Sequence, residues 1–505
     1  MTPLSKAGVE TELKFELDPE AMLKLREHPA FAEPQPPRRL RSVYFDTPDH
    51  DLRNRGLTLR VRETSGDFIQ TVKQRQNGLF GRDEWEQRVE AERPDPQAFH
   101  DTPVEPLLGA DAARLAPVFA TTVERRVHLW RQGEDVVEIS LDQGEIAVGE
   151  QREPIRELEL ELKAGRPEAL FALARELSRD APMRLSFESK GERGYRLAGR
   201  DGLEAFKAEQ AAVKPDTTVE EVFRIVARSA LSQVTANAQL LRRARLPEAV
   251  HQMRVGLRRF RAALTAFKPM LEGEGLAEVK AGAKWLAQAL DEARDIDVFI
   301  QDSFRPAEAA ADPAMEALGS RLRHLQAEAY EHVAASLDSP RFASLVLDVA
   351  AWVEVGLWVR QDERIRHEAA GAFGARALDR LHRKVRKKGR HLKDLSPASR
   401  HKLRIEAKKL RYTIEFFVDV FRQKQGRRRE RYRQAIRGLQ DRLGELNDLA
   451  VARAKAPRLL GGGGSQAAFA AGLIIGRREE NEAELRQAAE TAFRAFREAR
   501  PYWRA

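Results

Sequence analysis

Near the start of the chain, Glu10, Glu12 and Lys14 occupy alternate positions of Val9-Glu10-Thr11-Glu12-Leu13-Lys14-Phe15. In a β-strand successive side chains point to opposite faces, so the two carboxylates and the ammonium share one face. Carboxylate oxygens suit a divalent cation, and an ammonium beside them suits the phosphoryl oxygens such a cation escorts. A solvated strand face has the same composition, so this stretch alone decides nothing.

The layout recurs along the first two hundred residues. Arg156–Lys163 places Glu157, Glu159, Glu161 and Lys163 on one face, with Leu158, Leu160 and Leu162 on the other. Leu57–Arg62 brings Arg60 and Arg62 together, and Phe68–Arg75 does the same for Thr71, Lys73 and Arg75. Arg82, Glu84, Glu86 and Arg88 form another charged row. Thr121–Arg131, which carries Arg125, and Val136–Asp142 read as strands joined by the turn Gln132-Gly133-Glu134-Asp135. Arg41–Pro48 reads as a strand and Pro19–His28 as a short helix, while the prolines of Glu33–Pro37 preclude regular structure. Dense charge of both signs on strand after strand points to a closed barrel or tunnel with a charged interior and helices outside. In such an interior cations grip phosphoryl oxygens while carboxylates hold the metal.

The chain has 505 residues, which is too long for one core, and predicts at least two domains. It has no cysteine, which excludes disulfides and zinc–thiolate sites and fits a reducing compartment. No leader-like segment and no apolar run of membrane-spanning length is evident, so a cytoplasmic protein without a membrane partner is expected. The net charge of +9 is uneven: the first two hundred residues are mildly acidic and the rest strongly basic. A basic second half favours polyanionic partners.

Several motifs, in order, resemble a CYTH domain of the triphosphate tunnel metalloenzyme superfamily. They are Glu10-x-Glu12-x-Lys14, Arg60-x-Arg62, Lys73, Arg125, Leu141-Asp142-Gln143-Gly144-Glu145, Glu157-x-Glu159-x-Glu161 and Ser189-Lys190-Gly191-Glu192-Arg193-Gly194-Tyr195. The resemblance covers about residues 4–200. It implies an eight-stranded antiparallel β-tunnel hydrolysing triphosphates with Mg²⁺ or Mn²⁺, inorganic triphosphate foremost. On this basis Glu10, Glu12, Glu159 and Glu161 are the expected metal ligands, with Glu157 or Asp142 completing the site. Lys14, Arg60, Arg62, Lys73, Arg125 and Lys190 are expected to hold phosphate oxygens, with Arg41, Arg82, Glu84 and Arg184 as further lining.

Residues 201–217 read as a polar linker, with threonines placed to cap a helix starting near Val219. Thereafter the periodicity is helical throughout. One segment repeats: His251-Gln252-Met253-Arg254-Val255-Gly256-Leu257-Arg258-Arg259-Phe260-Arg261 returns as His401-Lys402-Leu403-Arg404-Ile405-Glu406-Ala407-Lys408-Lys409-Leu410-Arg411. Downstream, Leu290–Asp295 is echoed by Leu443–Asp448. On a helix, His251, Arg254, Arg258 and Arg261 form one basic stripe, as do His401, Arg404, Lys408 and Arg411. Val255, Leu257, Phe260, Leu403, Ile405 and Leu410 are left to pack. Two such stripes can line one shared channel. The repeated His-x-x-Arg helices, Ala293–Val298, Lys408–Tyr412 and Leu439–Gly444 resemble a CHAD domain over about residues 215–505. The resemblance implies two related four-helix halves around a basic cavity that binds inorganic polyphosphate, and from it an association with polyphosphate granules is expected.

The expected architecture is therefore α+β: a CYTH tunnel domain over residues 1–200 and an all-α CHAD domain over residues 218–505. The expected function is a metal-dependent inorganic triphosphatase with a polyphosphate-binding accessory domain. The competing readings are a non-catalytic phosphate-ligand binder, an adenylate cyclase, and a thiamine or nucleoside triphosphatase. Carboxylates disfavour the binder, since anion binding needs none. Nucleic acid is disfavoured because the basic helices lack interleaved aromatics for base stacking.

Overall fold

A computed structural model describes residues 11–31, 36–74, 84–199, 204–208, 213–304, 312–360, 362–421, 426–460 and 464–504. The chain forms two compact units: Met1–Glu204 with Ala343–Val355, and Ala205–Phe342 with Gly356–Ala505.

The first unit is built on one antiparallel sheet. Its strands are β1 (Glu12–Leu17), β2 (Arg38–Asp46), β3 (Leu57–Thr64), β4 (Asp67–Gln74), β5 (Glu84–Val89), β6 (Ala116–Gln132), β7 (Asp135–Val148), β8 (Gln151–Ala164) and β9 (Met183–Leu185). They run in the order β5-β4-β3-β2-β6-β7-β8-β1-β9. Among the described residues the sheet has nine strands where eight were expected, and the shortest, β9, pairs with β1. The β6–β7 hairpin turns at Gly133, whose φ of 60° favours glycine.

Cross-strand register stacks the charged rows. Glu12, Lys14 and Glu16 of β1 lie opposite Glu161, Glu159 and Glu157 of β8. These in turn lie opposite Glu138, Ser140 and Asp142 of β7. Arg125 faces Asp142, Tyr44 faces Arg60, Ser42 faces Arg62, and Lys73 faces Glu84. The reverse face is apolar. Leu13, Leu158, Leu160, Val137 and Ile139 are fully buried there, each contributing about 1.5–3 kcal/mol. Helices α1 (Pro19–Glu27) and α2 (Glu168–Asp180) pack against β1, β7 and β8, burying Met22, Leu25, Leu170 and Leu173. Asp18 caps α1, its carboxylate accepting from the Ala21 N–H at 2.7 Å.

Helix α3 (Lys190–Ala198) sits on the charged face and shows how the sheet curls. Lys190 reaches Asp142 and Glu157 of β7 and β8, while a Cβ on the next residue, Gly191, would lie 3.3 Å from Thr58 of β3 and Tyr44 of β2. Distant strands thus converge on one short helix. A capping box starts it, with the Ser189 hydroxyl accepting from the Glu192 N–H at 3.1 Å and the Glu192 carboxylate from the Ser189 N–H at 2.7 Å.

One segment departs from the sequence reading. Pro340–Arg360 is long and apolar enough to cross a membrane by length and composition. Val346, Leu347 and the run Val349–Val353 are buried, and Asp348 pairs with Arg175 of α2 at 3.0 Å. A charged residue tied to a partner on a largely buried helix is the pattern of a core helix.

The second unit is all helical. The first half contains α4 (Val219–Arg243), α5 (Pro247–Ala266), α6 (Leu276–Ala289) and α7 (Asp291–Ser303), and the second contains α8 (Ala370–Lys388), α9 (Pro397–Phe416) and α10 (Gly426–Leu460). Thr218 caps α4 through a capping box with Glu221. The repeat is visible in the packing. Phe223 and Phe373, and Phe267 and Phe417, are separated by the same interval as His251 and His401. Phe267 lies 5.5 Å from Phe223, 5.4 Å from Phe373 and 5.7 Å from Phe417, so equivalent rings of the two halves meet at one centre. The residues before α4 and α8 also pair, with the Val219 N–H donating to Glu368 O and the Ala370 N–H to Thr217 O. The halves differ at Leu290, where α6 gives way to α7 but the matching stretch runs unbroken through α10.

The C-terminal stretch forms two helices, α11 (Gly464–Glu480) and α12 (Glu482–Glu498), separated at Asn481. Gly464 and Ser465 open α11, while residues 461–463 lie outside the described residues. Tyr502 and Trp503 dock in the interior, where the Trp503 Nε1–H donates to Asp379 Oδ1 at 2.8 Å.

Candidate active site

Three carboxylates converge on the charged face: Asp142 of β7 and Glu157 and Glu159 of β8. One oxygen from each lies within 4.8 Å of the others. Asp142 and Glu157 are fully buried. Three cations hold the charge. Lys190 Nζ lies 2.8 Å from Asp142, 2.5 Å from Glu157 and 2.7 Å from Glu159. Arg125 forks onto both Asp142 oxygens at 2.7 and 2.6 Å and also reaches Glu159. The Arg193 Nη1–H donates to Glu157 Oε1 at 2.7 Å.

The electrostatics follow from these contacts. Burial works to raise the Glu159 pKa, but Arg125 and Lys190 outweigh it and hold the group well below the carboxylate range. For Glu157 burial is likewise overcome, here by Lys190, Lys14 and Arg193. Burial opposes the Lys190 ammonium, yet Asp142, Glu157 and Glu159 raise its pKa above the ordinary lysine value.

Beside the acidic cluster lies a cationic wall. Burial and the neighbouring Arg60 lower the Arg62 pKa to about 10. Arg62 Nε–H donates to Ser42 Oγ at 3.2 Å. Lys73 and Arg60 share one counter-ion, Glu84, at 2.8 and 3.5 Å. Tyr44, flanked by these arginines, is a site residue the sequence reading missed. Burial pushes its phenol pKa up, but Arg60, Arg62 and Lys190 overcome that and lower it. Only its register opposite Arg60 could have flagged it. Arg193 was likewise quoted in a motif without a part to play.

The other expected residues are distributed as follows. Glu12 faces Glu161 in register one pair beyond the triad, and Glu161 pairs with Lys163 at 2.6 Å. Lys14 is buried and donates to the Glu188 carbonyl. Arg184 sits opposite Glu16. Arg41 is not lining: it lies on the opposite face from Ser42 and pairs with Glu92, because the strand alternation turns it outward. Glu10 and Arg82 lie outside the described residues.

Helix α3 fixes Lys190. Arg196 holds Glu153 and Glu188, Arg193 also binds the Pro154 carbonyl, and the Tyr195 hydroxyl donates to buried Asp46 at 2.8 Å. Gly194 is pressed against Phe119, where a Cβ would lie 2.1 Å from the ring. That ring stacks on Tyr44 at 4.4 Å and meets Tyr195 edge-on at 5.2 Å, so it cannot yield. Gly194→Ala is therefore expected to cost about 1–3 kcal/mol of stability, read as a lowered melting temperature. An unchanged melting temperature would contradict this packing.

In the helical unit the two stripes meet. Arg254 and Arg258 of α5 and Arg404 and Lys408 of α9 form one cluster, and Arg258 Nε–H donates to the Tyr412 hydroxyl at 3.2 Å. Burial, then Arg404 and Arg258, lower the Lys408 pKa to about 6. Acidic neighbours sit at the edge: Asp448 lies 3.8 Å from Arg404, and Asp291 pairs with Arg254. Burial, then Arg294 and Arg258, lower the His251 pKa to about 4, so His251 is neutral near pH 7. His401 is exposed, with Nδ1 2.6 Å from Asn447 Oδ1. Arg411 Nε–H donates to Gln440 at 2.7 Å, and Arg261 is exposed. Leu257, Phe260, Leu403 and Leu410 pack as expected, but Ile405 is 38% exposed.

Comparison with known proteins assigns both units. The CYTH domain family matches residues 8–195 and the CHAD domain family matches residues 225–456. The chain thus carries a CYTH domain followed by a CHAD domain. An inorganic triphosphatase from Haemophilus influenzae is 31% identical over 168 residues, which is 32% of this chain. The match spans 47% of that relative, about half its length. The crystal structure of a CHAD domain from the plant Ricinus communis shares 28% identity with a TM-score of 0.52, covering 60% of this chain and 99% of that one. A structure of HpAC1 from Hippeastrum, described as having a dominant triphosphatase activity, shares 19% identity at a TM-score of 0.29, covering 36% of this chain and 92% of that one.

Proposed function

We propose that the first unit is a metal-dependent hydrolase of inorganic triphosphate and that the helical unit binds inorganic polyphosphate. The observation that carries the first reading is the triad Asp142, Glu157 and Glu159 set beside the cationic wall of Arg60, Arg62, Lys73 and Arg125. The triad offers hard oxygen donors at the spacing a divalent cation needs, so Mg²⁺ or Mn²⁺ fits the residues present. Glu12 and Glu161 extend the same donor set along the face, and Glu10, two positions before Glu12 in the sequence, is the further ligand this reading takes from the motif. A bound cation there supplies Lewis-acid polarisation and a nucleophilic water. The residues of the chain do the rest. Arg60, Arg62, Lys73, Arg125, Lys14 and Lys190 hold the phosphoryl oxygens and stabilise charge as it develops on transfer. A pure anion binder needs no cluster of converging carboxylates beside its cations. The relative named as an inorganic triphosphatase supports the same substrate.

Incubation with tripolyphosphate, ATP, thiamine triphosphate and long-chain polyphosphate, with Mg²⁺ or Mn²⁺, tests the reading. Phosphate, pyrophosphate and cyclic AMP are measured together. Fastest phosphate release from tripolyphosphate is expected, and no turnover of any substrate would overturn the hydrolase reading.

For the helical unit, the clustering of Arg254, Arg258, Arg404 and Lys408 supports a polyanion site. Its binding is expected to be proton-linked. Lys408, with a pKa of about 6, is mostly neutral at pH 8, and a bound polyanion raises that pKa, so binding takes up a proton. Affinity is expected to fall as pH rises from about 6 to 8 at constant ionic strength. Lys408→Arg, charged throughout, should flatten that profile. The same pH dependence in the variant would contradict the assignment.

A further inference from the structure

The position of Lys190 conflicts with a simple phosphate contact. Its ammonium lies 2.5–2.8 Å from Asp142, Glu157 and Glu159, and these are the same three carboxylates whose oxygens converge within 4.8 Å. An ammonium touching all three occupies the centre a divalent cation would take. Oxygen ligands hold such a cation at about 2.0–2.6 Å, so both cannot sit there together.

The charge is already balanced in this arrangement. Two buried carboxylates and the half-buried Glu159 face Lys190, Arg125 and Arg193. Arg125 and Arg193 are locked. Arg125 forks onto Asp142, and Arg193 spans Glu157, Glu153 and the Pro154 carbonyl. Lys190 is different in kind, being a point charge on a flexible stem with no planar fork to fix it. Its backbone cannot follow it, because α3 is held by Arg193, Arg196 and the Tyr195–Asp46 hydrogen bond. Only the side chain is free to move.

We infer that Lys190 is the resident counter-ion of the metal site, that it leaves the three carboxylates when a divalent cation binds, and that only then does its ammonium become available to phosphate. This rests on the reading of the site as metal-dependent, and adds an order of events to it. Without metal, Lys190 keeps three like charges from repelling one another. With metal, the displaced ammonium is already tethered beside the cationic wall formed by Arg60 and Arg62, the side on which phosphate would lie. Metal loading and completion of the phosphate site are one step.

The test is read without substrate. Mn²⁺ affinity is measured by calorimetry, or by the paramagnetic resonance signal of free Mn²⁺, for the wild-type chain and for Lys190→Met. If Lys190 holds the site nine-tenths of the time or more, the variant binds Mn²⁺ at least about tenfold more tightly. Equal or weaker binding overturns the inference. Because Lys190→Met can destabilise the buried carboxylates, a second measurement uses the wild-type chain alone. An amine-reactive reagent followed by mass spectrometry reads Lys190 accessibility with and without Mn²⁺. Labelling of Lys190 is expected to rise with Mn²⁺, and labelling that stays level or falls overturns the inference. Exchange at Lys190 without turnover of any triphosphate would leave the inference standing and remove the hydrolase reading. Turnover by the wild-type chain, together with unchanged Mn²⁺ affinity in Lys190→Met, would do the reverse.

Discussion

Glu159→Gln is expected to lower metal-dependent triphosphate hydrolysis by about two to three orders of magnitude, the effect of removing one preorganised charge from such a site. Glu159 is where both charge systems meet, since Arg125 and Lys190 both reach its carboxylate. Glutamine keeps the shape and removes the charge that draws a divalent cation. The loss should therefore be larger at low Mn²⁺ than at saturating Mn²⁺. The fold should survive, because Arg125 keeps both oxygens of Asp142 and Lys190 keeps Asp142 and Glu157. Circular dichroism and thermal melting separate the two effects. A folded Glu159→Gln protein with wild-type turnover would remove the triad from the reaction.

The second large effect is expected in the helical unit. Changing Arg254, Arg258, Arg404 and Lys408 together to alanine should abolish binding of long polyphosphate at physiological salt. Polyphosphate carries about one negative charge per internal phosphate, so its binding should follow counterion release as nucleic-acid binding does. Losing four phosphate contacts should flatten the slope of log affinity against log salt by about 3, at roughly 0.7 per contact for a flexible single strand. The apolar packing of Leu257, Phe260, Leu403 and Leu410 is untouched, so the helices should remain folded. Unchanged affinity and slope would move the polyphosphate site elsewhere.

What could be read beforehand follows physical periodicity. Strands with a period of two displayed their charged faces directly, as in Glu157, Glu159 and Glu161, and the doubled stripe of α5 and α9 was visible as a repeat. Both domain families were legible in the same motifs. Convergence was not. Asp142 meets Glu157 and Glu159 through the register of the β7–β8 hairpin, which the two residues between the strands set and the alternation within either strand does not. Tyr44 carries no charge to mark it in the sequence, and its neighbours Arg60 and Arg62 lie on another strand. Arg41 was expected as further lining, but alternation along β2 turns it to the face opposite Ser42. The burial of His251 among arginines, which keeps it neutral, likewise depends on Arg294 from another helix.

Lys190 illustrates the same limit. Its position in the motif said phosphate, while the structure sets it among carboxylates. The two statements are compatible only if the side chain moves, which the sequence could not have raised.

The central claim is that the carboxylate triad and its cationic wall make a metal-dependent triphosphatase. The most direct test is the initial rate of phosphate release from tripolyphosphate by the full chain as free Mn²⁺ is titrated from a chelated zero. The expected result is no release under chelation, a saturable rise with Mn²⁺, and one phosphate and one pyrophosphate per tripolyphosphate consumed. Release that is independent of the metal, or none at any Mn²⁺ concentration, would contradict it.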